Sequence, residues 1–299
     1  MMNQPPLPSR IDSLDAYSNS GISMDVLRLD LVHPVVSGNK WYKLQVYLAE
    51  AKEQQKIVLT FGGAFSNHIV ATAAITKTMG LKCIGIIRGE EAPVMSHTLL
   101  QAKQYGMDLF FVSREAYRQK IIPDLVYVCY TAGDLYVIPE GGYGLKGALG
   151  AAGILTQTAA RKYTHILSAV GTGTTLAGLI TGSTAAEKII GVSVLKNNHS
   201  LKQEIEALLP ADSNHRFELL HQYHFGGYAK YNAELTRFMN TFYKQTGIPT
   251  DFVYTAKAFY AATDLLQTGH FAANDNILLV HTGGLQGNLS LPKGTLIFD

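Results

Sequence analysis

From residue 57 onward, short apolar runs alternate with longer stretches in which apolar residues recur every three or four positions. Residues 57–61 lead into a helical pattern over about 67–79, 83–87 into one over about 94–105, and 108–112 into a polar one beginning near Arg114. Residues 135–138 run into Pro139-Glu140-Gly141-Gly142 and then a helix over about 147–163. The pattern restarts with strands at 165–170 and 189–194, followed by helices over about 233–245 and 256–266 and a last strand at 277–280. Strands that are apolar throughout, bounded by Gly and Pro and interleaved with helices, predict parallel sheets covered on both faces.

Two wound α/β units are expected, meeting near residue 155. Residues 24–31 alternate apolar and polar, as a half-buried strand does, and are expected to join the second unit as an edge strand. The predicted organisation is a larger domain from 1–43 and 156–299, with a smaller α/β domain, 44–155, inserted in it. Lys40 then falls on the crossing between the units, where ligand clefts form.

Composition narrows the function. With 299 residues, 47% hydrophobic and 16% charged, the chain is expected to be well folded. A net charge of +2 and the lack of any basic cluster argue against nucleic acid and membrane surfaces as partners. The first 20 residues are polar and proline-bearing, without a signal-type apolar core, and no apolar run is long enough to span a bilayer, so a soluble cytoplasmic protein is expected. Cys83 and Cys129 sit in apolar surroundings and read as buried packing residues. His221 and His224 lie three apart with no third ligand nearby, so no metal site is expected.

Four segments carry candidate chemistry. In Ser37-Gly38-Asn39-Lys40-Trp41-Tyr42-Lys43-Leu44 a lysine follows a tight turn into a helix; it is either a solvated charge or an amine able to attack a carbonyl. Lys43, one turn later, is an anion contact or plain surface. In Gly171-Thr172-Gly173-Thr174-Thr175 a strand runs into a helix, so backbone N–H groups and a helix N-terminus converge on one point, as a phosphate requires. A dinucleotide fold is the rival there, but Leu195-Lys196-Asn197 stands where its acidic residue belongs. A tight turn without ligand also remains open. Gly62-Gly63-Ala64-Phe65-Ser66-Asn67-His68 joins another strand to a helix and offers a small carboxylate site, or an ordinary N-cap. In Asp251-Phe252-Val253-Tyr254-Thr255, Thr255 has N-cap character and Tyr254 is a packing residue or a cleft residue.

In this order, and with His281-Thr282-Gly283-Gly284 after them, these motifs resemble the 1-aminocyclopropane-1-carboxylate deaminase / D-cysteine desulfhydrase family, over about residues 24–290. The resemblance implies a pyridoxal 5'-phosphate enzyme of the tryptophan-synthase β fold type (fold type II): two doubly wound open twisted sheets with the cofactor in the cleft between them. It implies Lys40 as the Schiff-base lysine and proton shuttle, Asn67 at the ring's phenolic oxygen, and Gly171, Thr172, Gly173, Thr174 and Thr175 as the phosphate cup. It puts Thr255 at the pyridine nitrogen, Lys43 among the cofactor contacts, and Ser66, Asn67 and His68 around the substrate carboxylate. Ser66, Tyr254 and, by a looser match, Tyr228 complete the catalytic set. The implied partners are a small amino acid and a second copy of the chain. The deaminase subgroup has a carboxylate at position 255, which keeps the pyridine nitrogen protonated. A neutral Thr255, with Ser66-Asn67-His68, therefore favours β-elimination from a D-cysteine-like substrate over cyclopropane opening. Trp41-Tyr42 replaces the family's Thr-Arg, and two aromatics there are expected to narrow the cleft.

Overall fold

A computed structural model describes residues 9–18, 21–158, 161–211 and 217–298. Residues 1–8, 19 and 20 of the polar N-terminal stretch, and 159–160 of the helix expected over 147–163, lie outside the described residues.

The chain builds two sheets. It opens with β1 (Arg10–Ser13) and β2 (Ser23–Arg28), then α1 (Asn39–Glu53). The smaller sheet follows: β3 (Ile57–Gly62), α2 (Asn67–Met79), β4 (Cys83–Arg88), α3 (His97–Gln104), β5 (Met107–Val112), the short α4 (Arg114–Arg118) and α5 (Asp124–Cys129), and β6 (Leu135–Ile138). Its order is β5-β4-β3-β6, all parallel. After α6 (Leu145–Ala152) come β7 (His165–Val170), α7 (Thr174–Gly182), β8 (Lys188–Ser193), α8 (Leu201–Glu206), β9 (Phe217–Leu220), α9 (Ala233–Thr246), α10 (Thr255–Gln267) and β10 (Asn276–His281). The larger sheet is ordered β1-β2-β10-β7-β8-β9 and is parallel except for β1. Every residue of β7 is buried, because both faces of this sheet carry an apolar layer.

Three expectations change. The strand at 24–31 is not an edge: β1 pairs antiparallel outside it, held by Arg28, which bonds Asp12 at 2.8 Å and Asp30 at 2.7 Å. The helix expected over 147–163 stops at Ala152 and continues as a 3-10 turn over Gly153–Thr158. Its glycines serve packing, since a Cβ on Gly150 would lie 2.2 Å from the Tyr42 carbonyl oxygen. That close approach seats α6 between α1 and α7, with Tyr42, Ala148, Ala151 and Leu176 in one core. Finally, Cys83 is buried but Cys129 is exposed, because α5 turns that face to solvent.

Candidate active site

The lysine turn is fixed by backbone geometry. Gly38 has φ 74°, and a Cβ there would sit 1.8 Å from the Thr282 carbonyl oxygen, so only glycine fits. Asn39 N–H donates to that same carbonyl at 3.1 Å, tying the start of α1 to the turn after β10. The Asn39 side chain then makes a bridge. Its Nδ2 donates to Thr175 Oγ1 at 2.8 Å, and its Oδ1 accepts from Lys40 Nζ at 3.3 Å.

Lys40, Lys43, Asn67, Gly171, Thr172, Gly173, Thr175 and Tyr254 wall a single cavity, closed on another side by Thr282, Gly283 and Gly284. The glycine-threonine turn is open toward it. α7 starts after Gly173, whose φ is 79° and which has no side chain to cap the first turn. The free N–H groups of that turn suit an anion. Asn67 opens α2, and its Oδ1 is buried without a hydrogen-bond partner among the described residues. The Tyr254 ring covers Gly171, where a Cβ would approach its edge to 3.3 Å.

The electrostatics of the wall suit an anion. Burial pulls the Lys40 ammonium down to about 8, opposed by the nearby Asp251 carboxylate. Lys43 is held well below the ordinary lysine range by burial and then by Lys40. Burial, followed by the two lysines, likewise keeps His68 neutral. Desolvated amines with a single carboxylate nearby form a wall that a bound anion stabilises. The Tyr254 phenol is driven up, first by burial and then by Tyr228, Asp251 and Glu140, so it keeps its proton.

Not every expected residue faces this cavity. Ser66 occupies the N-cap position of α2, yet its hydroxyl makes no capping bond. The His68 imidazole turns back into the smaller sheet, where Nε2 meets the Thr60 hydroxyl at 2.7 Å, so its ring is not in the wall. Thr174 is buried behind the turn, with its hydroxyl 3.3 Å from that of Thr172. Thr255 is fully buried and outside the wall, because its hydroxyl donates to Asp251 Oδ1 at 2.7 Å. Tyr228 is exposed and meets Tyr254 edge-on, with ring centroids 6.1 Å apart. The expectation that Trp41 and Tyr42 narrow the cleft is corrected. Tyr42 packs into the core with α6, Trp41 stacks on His33 at 5.7 Å, and neither lines the cavity.

Sequence reasoning assigned no role to Asn39 or Asp251. Asn39 was legible only as part of a motif, since its partner Thr175 lies 136 residues away. Asp251 had a local signal. Its carboxylate accepts the N–H groups of Val253, Tyr254 and Thr255, each at 2.9 Å, as an aspartate before a helix does.

An amine of lowered pKa facing an anion cup at the carboxyl ends of two parallel sheets is what an enzyme needs to tether an aldehyde with an anionic tail. Residues 15–283 match the family of pyridoxal-phosphate dependent enzymes, and the chain belongs to that family. It is 32% identical to a Thermotoga maritima protein named "Putative 1-aminocyclopropane-1-carboxylate deaminase", over 94% of this chain and 95% of that one. It is 30% identical to the bifunctional D-cysteine desulfhydrase/1-aminocyclopropane-1-carboxylate deaminase of Arabidopsis thaliana, over 90% of this chain and 74% of the plant one. The solved structure of an ACC deaminase homologue superposes with a TM-score of 0.81 at 28% identity, covering 96% of this chain and 92% of that one. O-ureido-L-serine synthase, at 11% identity and a TM-score of 0.71, shares the fold. The free N–H groups of the Gly171–Thr175 turn, the unpartnered Asn67 Oδ1 and the depressed Lys40 amine fit the family's cofactor, pyridoxal 5'-phosphate.

Proposed function

We propose that this protein is a lyase/deaminase that releases a keto acid and ammonia from a small amino acid, with D-cysteine-like substrates favoured. The observation that supports it best is the Asn39 carboxamide, which bonds Thr175 on one side and Lys40 on the other. It couples the position of an amine to the position of an anion cup.

Pyridoxal phosphate, when bound, supplies an electron sink for the pair left on the substrate α-carbon. Gly171 to Thr175 would hold its phosphate, with Lys43 adding charge, and Asn67 would bond the ring oxygen. Lys40 would carry the cofactor and then, at Nζ, take the α-proton; an amine titrating near 8 is basic and still available. Ser66 and the N–H groups opening α2 would bind the substrate carboxylate, with His68 contributing its backbone and not its ring. Tyr254, kept protonated and paired with Tyr228, would present a phenol beside the reacting carbons. For cysteine the balance is cysteine plus water giving pyruvate, ammonia and hydrogen sulfide.

Cyclopropane opening is the second reading, and one observation favours it. Position 255 is neutral, but the Asp251 carboxylate stands directly behind its hydroxyl. The presence of this charge weakens the argument that the region around residue 255 lacks an acid. We further read the molecule as a cytoplasmic homodimer in which the smaller sheet, within 44–155, is a domain inserted into 1–43 and 156–299. Among the described residues, no helix is long and apolar enough to cross a membrane.

The test offers D-cysteine, L-cysteine, D-serine and 1-aminocyclopropane-1-carboxylate in parallel, measuring sulfide, pyruvate and 2-oxobutyrate. Sulfide and pyruvate from D-cysteine are expected. 2-Oxobutyrate from the cyclopropane substrate alone would replace the first reading with the second, and no keto acid from any of them would end both.

A further inference from the structure

Outside the inner cavity the cleft widens into a space of a different character. Gly141 walls the inner cavity, and its neighbour Glu140 walls the outer one, so the two adjoin. The outer cleft has about 1180 Å³ of open volume against about 90 Å³ inside. Four cations, Arg88, Arg114, Arg118 and Lys120, face it, against the carboxylates of Glu90 and Glu140. Among the described residues Lys120 pairs with Glu140 and Arg118 with Glu115, which leaves Arg88 and Arg114 in no ion pair.

Arg88 is the better placed of these two. It ends β4, and its Nη2 lies 3.4 Å from where a Cβ on Gly63 would stand, against the loop that leads to Ser66. Its guanidinium sits 5.7 Å from the centre of the Tyr117 ring. Tyr117 is 4% exposed and lines the same cleft, where burial and then the Glu140 carboxylate keep its phenol protonated. Lys120 lies closer to that ring, at 3.9 Å, and the unpaired guanidinium beside it can grip a carboxylate or phosphate with two N–H groups.

A three-carbon amino acid with an uncharged side chain has no group to offer these residues. We propose that the outer cleft binds a second anionic group on the substrate's side chain, with Arg88 as its anchor. Beside the cysteine-like substrate, the site then accepts an α-amino acid bearing a side-chain carboxylate or phosphate, and holds it more tightly. This rests on the proposed amino-acid chemistry of the inner cavity.

The experiment uses the holoenzyme and two readouts. Calorimetry measures binding of aspartate and O-phosphoserine, each as both enantiomers, against serine of the same chirality; keto-acid release is followed for the same compounds and for cysteine. At least one anionic amino acid is expected to bind at least about tenfold more tightly than serine, aspartate and O-phosphoserine separating the carboxylate from the phosphate source. Arg88→Gln should remove most of that preference, and the charge reversal Arg88→Glu should invert it. Serine binding as tightly as both anions, or a preference that survives Arg88→Glu, overturns the proposal. Keto acid from cysteine without any anionic preference sinks this inference alone. No keto acid from any compound sinks the proposed activity, and the binding comparison still decides the role of Arg88.

Discussion

Thr255 donates its hydroxyl proton to Asp251 Oδ1 over 2.7 Å, and the Asp251 backbone N–H donates back to the same Thr255 oxygen at 2.8 Å. The pair closes the first turn of α10 and places a buried carboxylate beside Lys40, whose ammonium it favours. Removing the charge therefore has two effects. Asp251→Asn should lower the Lys40 midpoint below about 8 and cost about 1–2 kcal/mol of stability as charge-assisted bonds to the turn weaken. A pH titration of lysine reactivity and a urea melt check these; an unmoved midpoint would break the link between Asp251 and Lys40.

For Lys40 itself, a midpoint of about 8 makes the neutral amine about a tenth of the total at pH 7 and the majority at pH 9. The rate at which apoprotein captures pyridoxal phosphate covalently should rise through pH 8 and level off above it. The stability effect has a definite sign. The folded value lies below the unfolded one, so between about 8 and the ordinary lysine value the unfolded chain binds more protons, and stability gains from this group as pH rises through that window. A capture rate still climbing steeply past pH 10 would contradict the burial of this amine.

Lys257 is a fully buried lysine whose Nζ donates to the carbonyls of His224 and Gly227 at 2.9 and 2.8 Å. It pins the loop that presents Tyr228 to Tyr254. Lys257→Met should leave each carbonyl with its one backbone bond, from Gly227 and Lys230, and cost about 1–2 kcal/mol in a urea melt. Hydrogen exchange at Gly226 and Gly227 should quicken as the loop loosens. Unchanged exchange there would mean the loop holds without its clamp.

Gly38→Ala places a methyl group against the Thr282 carbonyl at a φ of 74°. The start of α1 must then move, and Lys40 with it. The expected result is a loss of about 3 kcal/mol or more together with loss of cofactor retention, seen by thermal melt and by dialysis of the coloured protein.

The sheets were largely legible because their strands are apolar on both sides: residues 57–61, 83–87 and 165–170 were bounded to within a residue or so of β3, β4 and β7. β1 was not, since four residues with polar ends become a strand only through Arg28 and Asp12, a pairing that periodicity does not carry. The helix over 147–163 was overextended because its small residues read as helix formers, whereas Gly147 leaves room for the Gly142 carbonyl and Gly150 lets α1 come close. In the site, the motifs located Lys40, Asn67 and the Gly171–Thr175 turn, all with atoms on one cavity except Thr174. The role of Thr255 at the ring rested on the resemblance. Its N-cap character drew attention from the aspartate four residues earlier, which accepts the N–H groups at the helix start.

Reduction of the holoenzyme with borohydride, followed by digestion and mass spectrometry, asks most directly which amine carries the cofactor. Three lysines compete, Lys40, Lys43 and Lys257, the ones whose pKa values burial lowers. The pyridoxyl label is predicted on Lys40 alone and absent from Lys40→Ala. A label on Lys43 or Lys257, or none on a protein that retains the cofactor, would contradict the account.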